Sequence, residues 1–439
     1  MVKRGRAVLQ IATAVAAMSL LVGSATGLAP NAHAASDSFY EYTGAAPLSS
    51  IAPGTVLQTR TMPYHFAGIP TPVTAVQLQY RTTDARQRPA VNVTSVLLPP
   101  TGVDPAKAVA YQSFYDSLNP EDGPSRSVAG NVSFGGAVNN VEGELIAPLL
   151  AQGYTIIVAD TEGQAADFAA GPEYGMNTLD SIRAATHSAQ VGLNEQTRVA
   201  LFGYSGGAIA TNWAAALAPV YAPDVDRQLV GAAEGGVLVN PARNLRYIDG
   251  SFGWAGVAAM AVIGIGRSYD IDFSPYMSAY GAEILNKMQY ASIANVLFQY
   301  PGLTWAQMVK PEYADPNSVA PFVAAVRKVD LGLAPTPTIP MLIGQGANGV
   351  LEGTDNGKPV SGPGDGVMVA GDVRSLARQY CDTGNSAILY RQYDLLSHTP
   401  STIAWLPEAL LWLDDRFAGR PAPANCGAIA PGNSLDPVI

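Results

Sequence analysis

The apolar positions of this chain change their spacing as it proceeds. Ala75–Tyr80 and Ala90–Leu98 alternate apolar and polar side chains around the polar stretch Thr82–Arg88, a pattern that predicts a β-hairpin. Beyond it, Val109–Phe114, Thr155–Ala159, Arg198–Gly203, Leu229–Ala233, Pro340–Ile343 and Ala387–Tyr393 are short and almost continuously apolar. Such runs predict strands covered on both faces, as in a parallel sheet. Leu179–Gln190, Ala208–Leu217, Val373–Tyr380 and Ile403–Phe417 carry the helical period between them. Strands alternating with helices predict an α/β fold with a mostly parallel, doubly wound sheet.

One stretch interrupts the alternation. Residues 240–335 show no strand pattern and contain the apolar run Phe252–Gly266, too short and too glycine-broken to span a bilayer. The expectation is a mainly helical cap inserted into a core made of residues 35–239 and 336–439. An apolar cap suits a lipid-like substrate.

The first 34 residues read differently. Lys3, Arg4 and Arg6 precede a mainly apolar stretch from Val8 to Leu28, and Ala32-His33-Ala34 has the small-x-small form of a cleavage site. This predicts a signal peptide and a secreted, extracellular protein. The 439 residues carry a net charge of −10, and removal of Lys3, Arg4 and Arg6 makes it more negative. An acidic protein is a poor partner for nucleic acid or anionic membranes. With 48% hydrophobic and 14% charged residues, a large core is expected and disorder excluded. The two cysteines, Cys381 and Cys426, are too few for a four-cysteine metal site, and export predicts that they pair. Asn92-Val93-Thr94 and Asn131-Val132-Ser133 fit the glycosylation pattern.

Gly203-Tyr204-Ser205-Gly206-Gly207 matches the Gly-x-Ser-x-Gly nucleophile elbow, in which a serine sits on a strained strand-to-helix turn. The flanking strand and small-residue helix supply the required context, and the helix N-terminus directs partial positive charge at the serine. In this fold the order is serine, acid, histidine, and His398 is the one histidine after Ser205; His65 and His187 precede it. His398 is expected in a loop ahead of a helix beginning near Ile403. For the acid, no carboxylate occupies Gly346-Ala347-Asn348-Gly349, the turn after the preceding strand. Asp365 is preferred because it abuts the apolar Val367-Met368-Val369; Asp355, Asp372 and Asp394 stay open. One oxyanion donor is the backbone N–H of Gly206, and the second belongs to the loop beginning Tyr115-Asp116-Ser117. No metal or cofactor is called for, since no dinucleotide or phosphate-loop glycine pattern follows a strand.

Several segments together resemble the secretory lipase family of α/β-hydrolases, which includes the yeast lipase A enzymes. They are Tyr111-Gln112-Ser113-Phe114-Tyr115-Asp116-Ser117, Ala159-Asp160-Thr161-Glu162-Gly163, Leu179-Asp180-Ser181-Ile182-Arg183-Ala184-Ala185, the elbow, Asp365-Gly366-Val367-Met368, and Trp412-Leu413-Asp414-Asp415-Arg416-Phe417-Ala418-Gly419 with Cys426. The resemblance implies a serine ester hydrolase acting on acylglycerols or other lipid-type esters under a helical lid. It implies Ser205, Asp365 and His398 as the triad and Asp116 with Gly206 as the oxyanion site. Asp160 and Asp180 belong to the same segments and read as structural, a strand-end carboxylate and a helix-start residue. Against the family pattern, residues 348–363 are an insertion ahead of Asp365.

The reading is a secreted carboxylic-ester hydrolase with a lipid or ester substrate, transient contact with lipid interfaces and no stable protein partner. An acyltransferase or serine peptidase on the same fold, or a non-catalytic lipid-binding protein, are the alternatives that a serine-reactive probe and a substrate panel separate.

Overall fold

The structure is a computed structural model and describes residues 37–437; the expected signal peptide lies outside them. Nine strands form one sheet in the order β1-β2-β3-β5-β4-β6-β7-β8-β9. They are β1 (Val56–Phe66), β2 (Ile69–Thr83), β3 (Pro89–Leu98), β4 (Lys107–Gln112), β5 (Thr155–Ala159), β6 (Arg198–Tyr204), β7 (Leu229–Gly235), β8 (Met341–Gly346) and β9 (Ile388–Tyr393). The pairs β1/β2, β2/β3 and β3/β5 are antiparallel, and the remaining neighbours are parallel. The expected hairpin is β2–β3, in direct register from Thr74–Leu98 to Thr83–Pro89.

The continuous apolar runs follow from this placement. Along β6, Val199 and Leu201 enter the core on one face of the sheet, and Ala200, Phe202 and Tyr204 enter the core on the other. Met341 and Ile343 of β8 face the first core and Leu342 the second. β6 and β8 therefore alternate between two apolar layers and show no solvent-facing polar side.

The helices that position the site are α1 (Ala137–Ala151), α2 (Gly171–His187), α3 (Gly206–Tyr221), α4 (Pro241–Ile248), α5 (Ala255–Tyr269), α6 (Ala320–Lys328), α7 (Ala370–Asp382) and α8 (His398–Phe417). Between β7 and β8 the described chain is helices and connections without a strand, and α4, α5 and α6 lie there. This segment closes a third apolar core around Met260, Trp305 and Phe322, into which the β4 and β8 sides send Leu118 and Val367–Val369. No helix among the described residues is long and apolar enough to cross a membrane.

One expectation needs correction. Asp180 is not at a helix start: it lies inside α2, buried, accepting from Thr82 Oγ1 at 2.9 Å, Tyr221 OH at 2.8 Å and Arg183 at 2.8 Å. The helix begins earlier because Gly171 and Gly175 let its first turns lie directly on α3. A Cβ at Gly175 would come within 2.7 Å of the Trp213 backbone. Asn92 is fully buried in β3, where its amide donates to Tyr80 OH and the Asp160 carbonyl, so its glycosylation pattern is structural in the folded chain.

Cys381 and Cys426 are bonded across a sequence separation of 45, tying the end of α7 to the C-terminal tail beside β9. Closing a loop of that length restricts the unfolded chain by about 4 kcal/mol. Cys381→Ser with Cys426→Ser is expected to lose about 2–4 kcal/mol, read from the urea midpoint with and without reductant on the wild type.

Candidate active site

Four strand ends on one edge of the sheet supply the site, as expected where ligands bind at the carboxyl ends of parallel strands. Ser205 follows β6 and holds φ +56°, ψ −122°, a strained conformation for a non-glycine residue. Its neighbours show why the elbow needs glycine. A Cβ at Gly203 would sit 2.3 Å from the Gly207 carbonyl oxygen, and one at Gly207 2.1 Å from that of Gln112. The turn delivers Ser205 Oγ to within 2.8 Å of His398 Nε2.

His398 is not in a loop, as its sequence neighbours suggest, but is the first residue of α8. The residue is 4% exposed, and its Nδ1 lies 2.8 Å from Asp365 Oδ2. The main chain fixes the residue twice: His398 N donates to the Asp365 carbonyl at 2.7 Å, and Tyr204 OH donates to the His398 carbonyl at 2.7 Å. Tyr204 and Trp254 flank the ring with centroids 5.2 and 5.4 Å away. Burial pulls the imidazole pKa down, but the charge and hydrogen bond of Asp365, with the charges of Glu352 and Asp116, outweigh it and hold it above 6.5.

Asp365 is fully buried in a tight turn closed by the Gly364–Val369 bridge and Asp365 N donating to the Met368 carbonyl. Oδ1 accepts from Val367 N at 3.0 Å and Met368 N at 2.7 Å. Oδ2 accepts from Gln345 Nε2 at 2.9 Å and faces the imidazole. The backbone N–H groups of Val367 and Met368, the apolar residues that follow it, thus hold the carboxylate in place. The other carboxylates lie elsewhere. Asp355 is exposed and accepts from Gly357 N within its own turn, Asp372 pairs with Arg243, and Asp394 accepts from Gln392. His65 meets the Val128 carbonyl and His187 meets Glu195.

Asp116 follows β4 with φ +35° and is 8% exposed. Its carboxylate lies over Gly206, where a Cβ would stand 1.8 Å from Asp116 Oδ1, so a larger residue there would push that carboxylate aside. Gly206 opens α3, and the N–H of a helix's first residue has no acceptor within the helix. Burial pushes the Asp116 carboxyl up to about 7 against the pull of a charged His398.

Two carboxylates absent from the sequence reading as functional groups hold this loop. Glu142 of α1 accepts from Ser113 Oγ at 2.6 Å, Phe114 N at 2.8 Å and Tyr111 OH at 3.1 Å. Glu162 accepts from Ser117 N at 3.2 Å and Tyr174 OH at 3.0 Å. Burial pushes Glu142 up to about 7 and Glu162 well above its ordinary range. Nothing local in the sequence marks them, because each acts on a loop 28 or 45 residues away. A third, Glu352, is also unmarked: it accepts from Ser397 Oγ, Thr399 N and Trp254 Nε1 beside His398.

Ser205 opens into a narrow cavity of about 90 Å³. Val257, Ala261 and Ile265 of α5, Phe322 and Val326 of α6, and Val367 form much of its wall, and its few polar side chains include Asp116, Ser205 and Asn244.

The profile of the secretory lipase family matches residues 131–425. Lipase 4 of Candida albicans is 30% identical over 397 residues, covering 88% of this chain and 82% of its own. A Mycobacterium tuberculosis protein named "Probable inactive lipase MT1628" is 31% identical over 377 residues, covering 84% of this chain and 79% of its own. Among solved structures, Candida antarctica lipase A in its closed state superposes with a TM-score of 0.78 at 26% identity, covering 92% of both chains. With an α/β-hydrolase sheet, a helical insertion and these relatives, the chain belongs to the secretory lipase family of carboxylic-ester hydrolases.

Proposed function

We propose that this chain is a secreted lipase that cleaves acylglycerols and similar lipid esters through an acyl-enzyme on Ser205. The observation that carries the reading is the continuous relay Ser205–His398–Asp365, 2.8 Å at each link, whose serine lines an apolar cavity. In it, His398 Nε2 takes the proton of Ser205 Oγ as the oxygen attacks the ester carbonyl, then returns it to the leaving alkoxide. Asp365 holds the imidazole in the tautomer with the proton on Nδ1 and stabilises its cation. The oxyanion is met by the Gly206 N–H and the Asp116 segment, with the dipole of α3 behind them. Water reverses the sequence on the acyl-enzyme. The relay is intact, which favours catalysis over a binding role even though one relative is named inactive.

The cavity suits an acyl chain because its wall offers almost no hydrogen-bonding group. The test is hydrolysis of p-nitrophenyl acetate, octanoate and palmitate by the chain beginning at Ala35. A higher kcat/KM for octanoate or palmitate than for acetate is expected; turnover of acetate alone would exclude the lipase reading.

The base must be neutral to act, and its pKa is held above 6.5. Activity therefore falls as pH drops through a limb lying above 6.5, as His398 takes up a proton before substrate arrives. A kcat/KM profile on a soluble short-chain ester between pH 5 and 9 reads this directly, and a limb below 6.5 contradicts it.

A further inference from the structure

The short helical turn Gly349–Glu352 lies in the insertion between β8 and Asp365 and carries a carboxylate that the triad does not include. Glu352 reaches two parts of the molecule at once. Its Oε1 accepts from Thr399 N at 2.8 Å and Ser397 Oγ at 3.0 Å, the residues on either side of His398. Its Oε2 accepts from Trp254 Nε1 at 3.0 Å. Trp254 precedes α5, lines the cavity and stands edge-on to the His398 ring at an interplanar angle of 80°.

α8 starts at His398, so its first N–H groups have no acceptor inside the helix. Ser397, the residue before it, caps none of them with its own side chain. A carboxylate from a remote segment does so instead, where the helix dipole favours negative charge. The first turn of α8, and with it the base, is thus held by a group whose other oxygen is bound to the helical insertion.

We propose that Glu352 is a positioning residue for His398, and that it couples the seating of the helical insertion on the core to the placement of the base. This inference rests on the triad reading above. When Trp254 is seated, Glu352 is bound on both sides and α8 keeps its first turn in line with Ser205. When the insertion lifts, Glu352 loses the indole donor and the cap on the helix loosens.

Three carboxylates act on the imidazole from three elements: Asp365 from the turn before α7, Glu352 from the insertion turn, and Asp116 from the loop after β4. Each favours its charged form. Removing the Glu352 charge must therefore move the acid limb of kcat/KM to lower pH, a change that loss of packing would not produce.

The experiment uses the chain from Ala35 with p-nitrophenyl acetate and compares Glu352→Gln, Glu352→Asp and Ser205→Ala. Glu352→Gln keeps the shape but turns an amide N–H₂ toward donors. It is expected to lower kcat about tenfold, leave KM within about twofold, and move the acid limb down by about half a pH unit. Glu352→Asp keeps the charge and is expected to restore the limb. An inactive Ser205→Ala beside a Glu352→Gln with wild-type kcat and limb overturns this inference while leaving the triad standing. An active Ser205→Ala removes the triad itself. A Glu352→Gln that loses kcat with no movement of the limb also overturns the inference, since a structural defect would suffice. If Glu352→Gln does not fold by circular dichroism, Trp254→Phe carries the test: it removes the indole donor and keeps a ring. A kcat lowered a few-fold at unchanged KM is expected, and an unchanged kcat overturns the coupling.

Discussion

Ser205→Ala is expected to lower ester hydrolysis by about 10⁴- to 10⁶-fold while leaving the protein folded. The mutation removes one oxygen, and that oxygen's hydrogen-bond partner in the structure is His398 Nε2. Alanine meets the same backbone constraint at φ +56° as serine does, and the glycines that make room for the turn are untouched. What survives is cavity binding and the oxyanion donors, which accelerate attack by water only weakly. Turnover of p-nitrophenyl octanoate, with circular dichroism as the folding control, reads both halves of the statement. Activity within tenfold of wild type would remove Ser205 from the chemistry.

Asp365→Asn should follow closely, with kcat down about 10³- to 10⁴-fold and KM nearly unchanged. The effect is large because every group around this carboxylate that the structure pairs with it can donate. Oδ1 takes two backbone N–H groups, and Oδ2 takes Gln345 Nε2 and faces His398 Nδ1. An asparagine must point its N–H₂ at one of these sets. Turned toward the turn, it opposes Val367 N and Met368 N and loosens the anchor. Turned toward the imidazole, it makes Nδ1 an acceptor, moves the ring proton to Nε2 and leaves nothing to take the serine's proton. Asp355→Asn is the matched control, since that side chain is exposed and serves only its own turn. Wild-type turnover in Asp365→Asn would return the acid to the open set.

The inner strands and the elbow were legible because their signals are local. Strands covered on both faces must be apolar throughout, and a strained turn demands small neighbours. β1 was not legible: it lies at the sheet edge, half exposed, with Arg60 and Pro63 in its sequence. The start of α8 was misplaced for a related reason. Pro400 looks like a helix breaker, yet it falls in the first turn, where its missing N–H has no partner to lose. Asp116 came only through the family resemblance, because a lone aspartate after a strand carries no signature. The roles of Glu142, Glu162 and Glu352 could not be read. Their roles exist only once segments far apart in the chain are brought together by the sheet.

Three buried acids bear on how pH acts on the fold. Asp116 and Glu142 are pushed up to about 7 by burial, and Glu234, buried against Asn212, to about 8. Carboxyls raised on folding hold protons that the unfolded chain has released, so the stability they lend is full in acid and drains away as pH climbs to 7 and 8. The ion-paired Asp37 and Asp224 are shifted the opposite way and offset part of this. In the proposed mechanism His398 must be free of its proton to act, and its pKa is held above 6.5. An acidifying medium thus stops the proposed base from acting while keeping the contributions of these three carboxyls to the fold.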